Sequence, residues 1–399
     1  MKTRVAVMYG GKTVEHEVSV ISGIQACMAM DTDKYEVIPV YLTKENDLYI
    51  GDDIGSIRAY RDIPGLLARS QRVILVNEGG RKLLMPYPMK RFGGAKPVEF
   101  DVAFPVVHGT NVEDGALQGY LKTLGVPFVG PDVTASAVSM DKFVTKAVVK
   151  EYGVPVLDAR VYTLADYVDI EKILDDIEAG FGYPVIIKPV NLGSSVGIGV
   201  AKNRTELIGA VDDAFRYSTR LMAEHAISNL REINCAVLGD DTHATASECE
   251  EPLHTAEILS YEDKYVNNAG SKGGKSGAKG AGMASVARKI PADLSPEKRE
   301  EVREMAVRAF QALGCCGVSR IDFMIDEDTG ELYFNEINPI PGSLAFYLWE
   351  PVGVPYGDLL DRMIQLAFKR MRTEEAVTFS FETNILANAD LGGAKGGKR

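Results

Sequence analysis

The sequence predicts a fold of class α/β and α+β in three domains, opening on an open α/β domain. Three observations carry this. The chain has 399 residues, 46% hydrophobic and 25% charged, an ordinary globular composition with room for two or three cores. It begins with an apolar run, RVAVMY, that passes through two glycines into a helical stretch. Its later segments mix short strands, hairpins and amphipathic helices without a solenoid repeat.

RVAVMYGG reads as a first strand, YEVIPVYLT as a second, and FDVAFPVVHG as a strand ending in a polar loop. ALQGYLKTLG is helical, VPFVGP reads as a further strand, and Pro131 marks a turn and the first boundary. SMDKFVTKAVVKEYG reads as one helix, closed by Gly153. YPVIIKPV and GIGVAK are strands around a loop of small residues, a hairpin. TELIGAVDDAFRY is helical, and TRLMAEHAI and EINCAVLGD are strands. A glycine- and lysine-rich stretch follows, then the amphipathic helix EKREEVREMAVRAFQALG and a last hairpin. These elements divide the chain near 1–130, 131–240 and 241–375, with a tail at 376–399 in which GGAKGGKR reads as disordered.

Charge and cysteines exclude several functions. The net charge is −12 and the pI about 5.1, so no basic face is implied and nucleic acid is not an expected partner. Cys27, Cys235, Cys249, Cys315 and Cys316 form no C-x-x-C pair, which fits reduced cytoplasmic thiols. The five histidines lack metal-ligand spacing. No apolar run reaches membrane length, and the start, RVAVMY, reads as a strand and not as a signal peptide.

The last hairpin, RIDFMIDEDTGELYFNEINPIPG, carries polar residues in its middle. Both halves alternate, and Asp328-Thr329-Gly330 reads as a three-residue loop. That register sets Glu327 opposite Glu331, Asp322 opposite Glu336 and Arg320 opposite Asn338, with the last four on one face. Opposed residues sit roughly 5 Å apart, where like charges repel. The acids and the amide therefore either bind a hard cation, Mg²⁺ or Mn²⁺, or form a solvated face with a chance acidic pair.

Two stretches suggest phosphate binding. AVMYGGKT, Ala6 to Thr13, falls one glycine short of a P-loop, because Ala6 stands where the first glycine is needed. G-x-G-x-x-G is absent. KPVNLGSSVGIGV, Lys188 to Val200, is the better candidate: Gly193, Ser194, Ser195 and Gly197 expose amides and hydroxyls. It is either a phosphate loop or a plain hairpin turn. Lys142, in SMDKFVTK, is by itself only a surface lysine.

Four ordered blocks together resemble the D-alanine–D-alanine ligase family of the ATP-grasp superfamily: GGKTVEHEVSVISG, HGTNVEDGALQGYLKTLGVPFVGP, KPVNLGSSVGIGV and the last hairpin. The resemblance covers almost the whole chain. It implies an ATP-grasp fold behind an N-terminal open α/β (pre-ATP-grasp) domain. It also implies a cytoplasmic, homodimeric enzyme serving peptidoglycan synthesis. ATP phosphorylates the carboxylate of one D-alanine, and the amine of a second attacks the acyl phosphate.

Residue roles implied by the resemblance follow the matched positions. Asp322, Glu336 and Asn338 match a site for two Mg²⁺, with Mn²⁺ able to substitute. Arg320 and the Gly342 amide match the groups that steady the acyl phosphate and tetrahedral intermediate. Glu15 matches the residue receiving the first ammonium, and His108 a histidine of the same pocket. Lys142, Lys188, Ser194 and Ser195 match the phosphate site. Ser194 and Tyr265 also match partners of Glu15. Lys264 belongs to the lid, Glu224, His225, Ala226 and Ile227 match the adenine hinge, and Glu232 matches the ribose acid.

Three departures stand out. Val112 occupies a usual glycine of the histidine turn. The stretch 265–285 is unusually rich in Gly and Lys and reads as a linker or a phosphate-covering lid. PGSLAFYLWEP lacks the family's usual ending, so Tyr347-Leu348 stand where a Ser-Leu pair holds the second amino acid. An acceptor such as D-serine or D-lactate, and a non-catalytic nucleotide-binding regulator, are the rival readings.

Overall fold

RVAVMY is apolar at almost every position, the pattern of a strand covered on both faces. It forms β1 (Thr3–Gly10), whose residues Val5 to Tyr9 are fully buried. The computed structural model describes residues 2–89, 94–193, 196–253 and 288–380. With β1 stand β2 (Tyr35–Leu42), β3 (Leu48–Ile50), β4 (Gln71–Glu78), β5 (Arg81–Pro86), β6 (Val98–Phe100) and β7 (Val102–Pro105). They make a seven-stranded sheet in the order β6-β5-β4-β3-β2-β1-β7. β1 is parallel to both neighbours, and β2 to β6 form an antiparallel meander. α1 (His16–Ala29) packs on β1, closely enough that a Cβ on Gly23 would lie 2.3 Å from the Tyr9 ring. α2 (Ile63–Arg69) and α3 (Ala116–Thr123) complete this part. VPFVGP does not become a strand. Phe128 makes one parallel bridge to Ala103, and then Gly130, at φ +101°, turns the chain away.

The helix expected over SMDKFVTKAVVKEYG is two helices, α4 (Val133–Met140) and α5 (Lys142–Glu151). Asp141 divides them because its carboxylate accepts the Phe143 and Val144 amides, an N-cap for α5. Lys142 is thereby set in the first turn of a new helix. Gly153, at φ +73°, follows α5 as expected.

The middle of the chain supplies β8 (Ala159–Thr163), α6 (Ile170–Phe181), β9 (Val185–Pro189), β10 (Gly199–Ala201), α7 (Arg204–Tyr217) and β11 (Arg220–His225). Its four strands form an antiparallel sheet, β10-β9-β11-β8. The third sheet contains β12 (Leu230–Gly239), β13 (Ala244–Pro252), β14 (Arg288–Lys289), β15 (Gly317–Asp326) and β16 (Glu331–Asn338). Its order is β14-β13-β12-β15-β16. α8 (Pro296–Ala312) covers one face, and α9 (Tyr356–Glu375) packs against the first cluster. Each sheet has its own buried hydrophobic cluster. Ala135 and Val149, from α4 and α5, belong to the third sheet's cluster, although they precede the second sheet in sequence.

The last hairpin reaches the expected register at its centre by another route. Asp322 pairs with Glu336 and Arg320 with Asn338, but Asp326, not Glu327, pairs with Glu331. The loop is one residue longer than three, and a β-bulge at Asn335 cancels the offset. The bulge also decides the faces. Phe334 meets Phe323 edge to face in the core, while Glu336 faces the other way with Asp322. Simple alternation would have put Phe334 and Glu336 on one side.

All five cysteines are free thiols. Among the described residues, no helix is long and apolar enough to cross a membrane.

Candidate active site

The cleft is assembled from loops at the ends of β1 and β7, the start of α5, and the polar face of β15 and β16. One cavity is lined by Glu15, His108, Lys142, Arg320, Asp322, Glu336, Asn338 and Gly342. These expected residues come from segments more than 300 positions apart.

Glu15 stands at the N-terminus of α1, where a negative charge is favoured. It is buried, and its carboxylate is enclosed by two glycines. A Cβ on Gly109 would lie 2.9 Å, and one on Gly193 3.0 Å, from Glu15 Oε2. Val112, the departure from the usual turn, is accommodated: Asn111 takes the left-handed conformation at φ +70°, and the Val112 side chain packs over Gly11.

His108 is buried and spoken for at both nitrogens. Nδ1–H donates to the Ile340 carbonyl (2.8 Å), which fixes the tautomer. Nε2 accepts from Ser22 Oγ (3.0 Å), and that oxygen accepts the Ser343 amide (2.9 Å). Burial pushes the imidazole down to about 4, with Arg320 nearby acting in the same direction. Glu113 ties the same two loops together, accepting the Gly109 amide (2.7 Å) and the Ile340 amide (3.0 Å). Burial, with Glu15 close by, pushes its carboxyl up to about 8. Sequence reasoning passed over Glu113, although it lies inside the HGTNVEDG block.

On the third sheet, Arg320 grips Asp322 with both edges, Nε and Nη2 each donating at 2.7 Å. Asn338 Nδ2 donates to Asp322 Oδ2 (3.1 Å). Burial, partly offset by Arg320 and reinforced by Glu336 across the ladder, raises the Asp322 carboxyl. Glu336 meets Lys142 Nζ (2.9 Å), which also donates to the Leu192 carbonyl (2.7 Å).

Lys188 and Glu224 lie one layer out. Lys188 Nζ donates to Glu224 Oε2 (2.8 Å) and to the bulged Asn335 Oδ1 (3.1 Å). Lys146 donates to the other Glu224 oxygen. Burial would raise Glu224, but Lys188 and Lys146 outweigh it and hold the carboxyl below its ordinary value. Burial lowers Lys146 to about 8 against the pull of Glu224. Lys146 was not anticipated, yet it follows Lys142 by four positions and so shares its helical face.

Some expected residues are not brought into this arrangement. The Glu224 carboxylate is engaged by two lysines rather than presented as a hinge group. His225 is exposed, the Ala226 amide donates to the Pro184 carbonyl (2.9 Å), and Ile227 is half-buried on the crossing from β11 to β12. Glu232 lies on β12 opposite Met324. Tyr347 and Leu348 do not line the cavity among the described residues. Leu348 is fully buried in the core. Tyr347 OH points to Glu250 Oε1 (3.4 Å), and its ring lies 3.9 Å beneath the Arg288 guanidinium. The preceding turn causes this. Ser343, Leu344 and Ala345 are all left-handed, at φ 52°, 52° and 48°, each costing about 1–2 kcal/mol. Complete burial of Leu344 and Ala345 holds them there. Ser194, Ser195, Lys264, Tyr265 and the 265–285 stretch lie outside the described residues, as does the end of the tail.

This geometry accompanies a match along the chain. Residues 4–131 match the family model for the D-ala D-ala ligase N-terminus, and residues 148–365 the model for the D-ala D-ala ligase C-terminus. The chain belongs to the D-alanine–D-alanine ligase family. It is 38% identical over 390 residues to a D-alanine–D-alanine ligase of Caldicellulosiruptor bescii, covering 96% of this chain and 99% of the relative. It is 39% identical over 385 residues to D-alanine–D-alanine ligase A of Bradyrhizobium diazoefficiens, covering 94% and 98%. The solved D-alanine–D-alanine ligase of Coxiella burnetii superposes with a TM-score of 0.75 at 29% identity, covering 94% of this chain and 96% of that one. The VanG D-Ala:D-Ser ligase of Enterococcus faecalis gives 0.74 at 28%, covering 92% and 100%. The fold is therefore the ATP-grasp fold of these ligases, and the family is one of ATP-dependent ligases.

Proposed function

We propose that this protein joins two D-alanines at the expense of ATP, through an acyl phosphate, and so supplies a peptidoglycan precursor in the cytoplasm. The observation that supports this reading is that one cavity is lined by Glu15, by Arg320 and the opposed acids Asp322 and Glu336, and by Lys142. Glu15 would receive the ammonium of the first D-alanine. Arg320 would donate to the oxygens that gain charge in the acyl phosphate and the tetrahedral intermediate. Lys142, Lys146 and Lys188 would turn from Glu336 and Glu224 to the phosphates. Neutral His108 would hold the 340–343 loop rather than move a proton, since both of its nitrogens are occupied.

Asp322, Glu336 and the Asn338 amide oxygen are hard donors on one face, which fits Mg²⁺ or Mn²⁺. Among the described residues, no group of three or more His, Cys, Asp or Glu side chains is arranged to hold a metal ion by itself. Two carboxylates and an amide do not close a six-oxygen shell, so phosphate oxygens and water would complete it. When bound, two such ions would neutralise phosphate charge during transfer.

We further propose three domains that follow the three sheets, with the second boundary in the 226–229 crossing, because β12 runs through the middle of the third sheet. A homodimer is expected from the family resemblance, and light scattering would test it. The activity test is a phosphate-release screen over D- and L-amino acids and D-lactate, with mass spectrometry of the products. D-alanine-dependent release of phosphate and formation of D-alanyl-D-alanine are the expected results. Release with D-alanine only when D-serine or D-lactate is added would identify the acceptor instead.

A further inference from the structure

The loop from Ile340 to Ser343 follows the last hairpin, yet side chains from the N-terminal part of the chain fasten it. Ile340 is held at both of its backbone groups. Its amide donates to Glu113 Oε1 (3.0 Å), and its carbonyl accepts from His108 Nδ1 (2.8 Å). Ser343 is held from α1: its amide donates to Ser22 Oγ (2.9 Å) and its hydroxyl to Gln25 Oε1 (2.8 Å). Between these anchors stand Pro341, which has no N–H, and Gly342, which lines the cavity with Glu15 and Arg320. Bonds at both ends of so short a segment restrict where the Gly342 amide can point.

Ser22 and Glu113 are both buried. The Ser22 proton goes to His108 Nε2 (3.0 Å), and a lone pair of the same oxygen takes the Ser343 amide. Glu113 also accepts the Gly109 amide (2.7 Å), and Gly109 is one of the two glycines that enclose the Glu15 carboxylate. One carboxylate therefore sets both a wall of the Glu15 pocket and the loop that carries Gly342. α1 makes the same connection. Glu15 stands at its N-terminus, and Ser22 follows two turns later on the same face, roughly 10 Å along the axis.

Acyl transfer puts negative charge on oxygen, and a donor fixed in advance stabilises that charge without reorganising. A displacement of about 1 Å can cost about 100-fold in rate. We infer, on the ligase reading above, that Ser22 and Glu113 are positioning residues for acyl transfer. They hold the 340–343 loop so that the Gly342 amide meets the oxygen that gains charge, in register with an ammonium at Glu15.

Ser22→Ala tests this with one lost hydroxyl, no added volume and a residue that favours the helix. Its kcat should fall by about 10- to 100-fold. The KM values for ATP and for the first D-alanine should stay within about 3-fold. Glu113→Gln keeps one acceptor and turns an NH₂ group toward the other amide. Its kcat should fall at least as far, and its first-site KM should rise as well, because Gly109 loses its anchor. Where Glu113→Gln does not fold, Ser22→Ala decides alone. The second readout is inhibition, with ATP present, by a phosphinate analogue of D-alanyl-D-alanine, tetrahedral at phosphorus. In Ser22→Ala its affinity should weaken by the same factor as kcat/KM, a proportionality that lost stability alone does not produce. A Ser22→Ala kcat within about 3-fold of wild type, or a lower kcat with unchanged affinity for the analogue, overturns the assignment and leaves the ligase reading standing. Wild type without D-alanine-dependent phosphate release overturns both.

Discussion

Glu336 lies where three demands meet: it opposes Asp322, pairs with Lys142 and faces the cavity. Glu336→Gln keeps the shape and an acceptor for Lys142 but removes one charge from an acidic pair. Turnover should fall by roughly 100-fold or more, several kcal/mol of lost charge stabilisation. The melting temperature should hold, because a like-charge repulsion is relieved. Near-normal turnover at limiting Mg²⁺ would remove the metal role. His108 gives a pH prediction. Its folded pKa, about 4, lies below the ordinary 6.5, so the unfolded chain binds the extra proton first as pH falls. Stability is full above about 6.5 and is lost as pH falls toward 4, at roughly 1.4 kcal/mol per unit. Glu113 runs the other way: its raised carboxyl keeps a proton in the folded chain that the unfolded chain loses above its ordinary value. The comparison must therefore be between wild type and His108→Asn. The stability difference between them should shrink by about 2–3 kcal/mol from pH 7 to pH 4.5 in denaturant titrations. A constant difference would mean that His108 is not held neutral by burial.

The last hairpin shows why an element can be read correctly at its centre and wrongly at its end. The residues from Arg320 to Asp322 and from Glu336 to Asn338 alternate cleanly, so their opposition follows from a period of two. The loop is one residue longer than the glycine suggests, and the bulge at Asn335 offsets it. Nothing local in LYFNEIN demands a bulge. It pays off only once Phe334 has a core to enter and Lys188 is present to bond Asn335. Asn335→Leu should keep the fold, raise the KM for ATP by about 10-fold and leave the amino-acid KM values alone. Equal rises in all three KM values would indicate general loss of hairpin geometry. The split between α4 and α5 is the opposite case. Asp141 is a local N-cap signal, visible in SMDKFVTK but outweighed by the long helical pattern around it.

Across the whole molecule, Glu224 joins the second sheet to the third. Its two lysines come from β9 and from α5, and α5 packs in the third sheet's cluster. Removing the charge leaves two buried cations facing each other. Glu224→Gln should cost about 3–5 kcal/mol and lower the melting temperature by several degrees. Saturating ATP should restore more stability to the variant than it adds to wild type, because phosphates replace the missing anion. A variant that melts with wild type would mean the lysines reach solvent.

What the sequence determined by itself was local or ordered along the chain. The buried strand β1, the opposed Asp322 and Glu336, the small-residue loop after Lys188 and the four family blocks all sit within short windows, where periodicity and residue type suffice. The tertiary structure alone decided what lies between windows. Glu113 bridges the Gly109 and Ile340 amides across 227 positions. Arg288 finds Glu250 and Tyr347 only when β14 closes the edge of the third sheet. Tyr347 leaves the cavity because three left-handed residues, held by burial against α1 and the core, turn it toward Glu250. Sequence patterns record which face a residue prefers. They do not record which distant group will meet it there, because that depends on how separately formed sheets and helices pack.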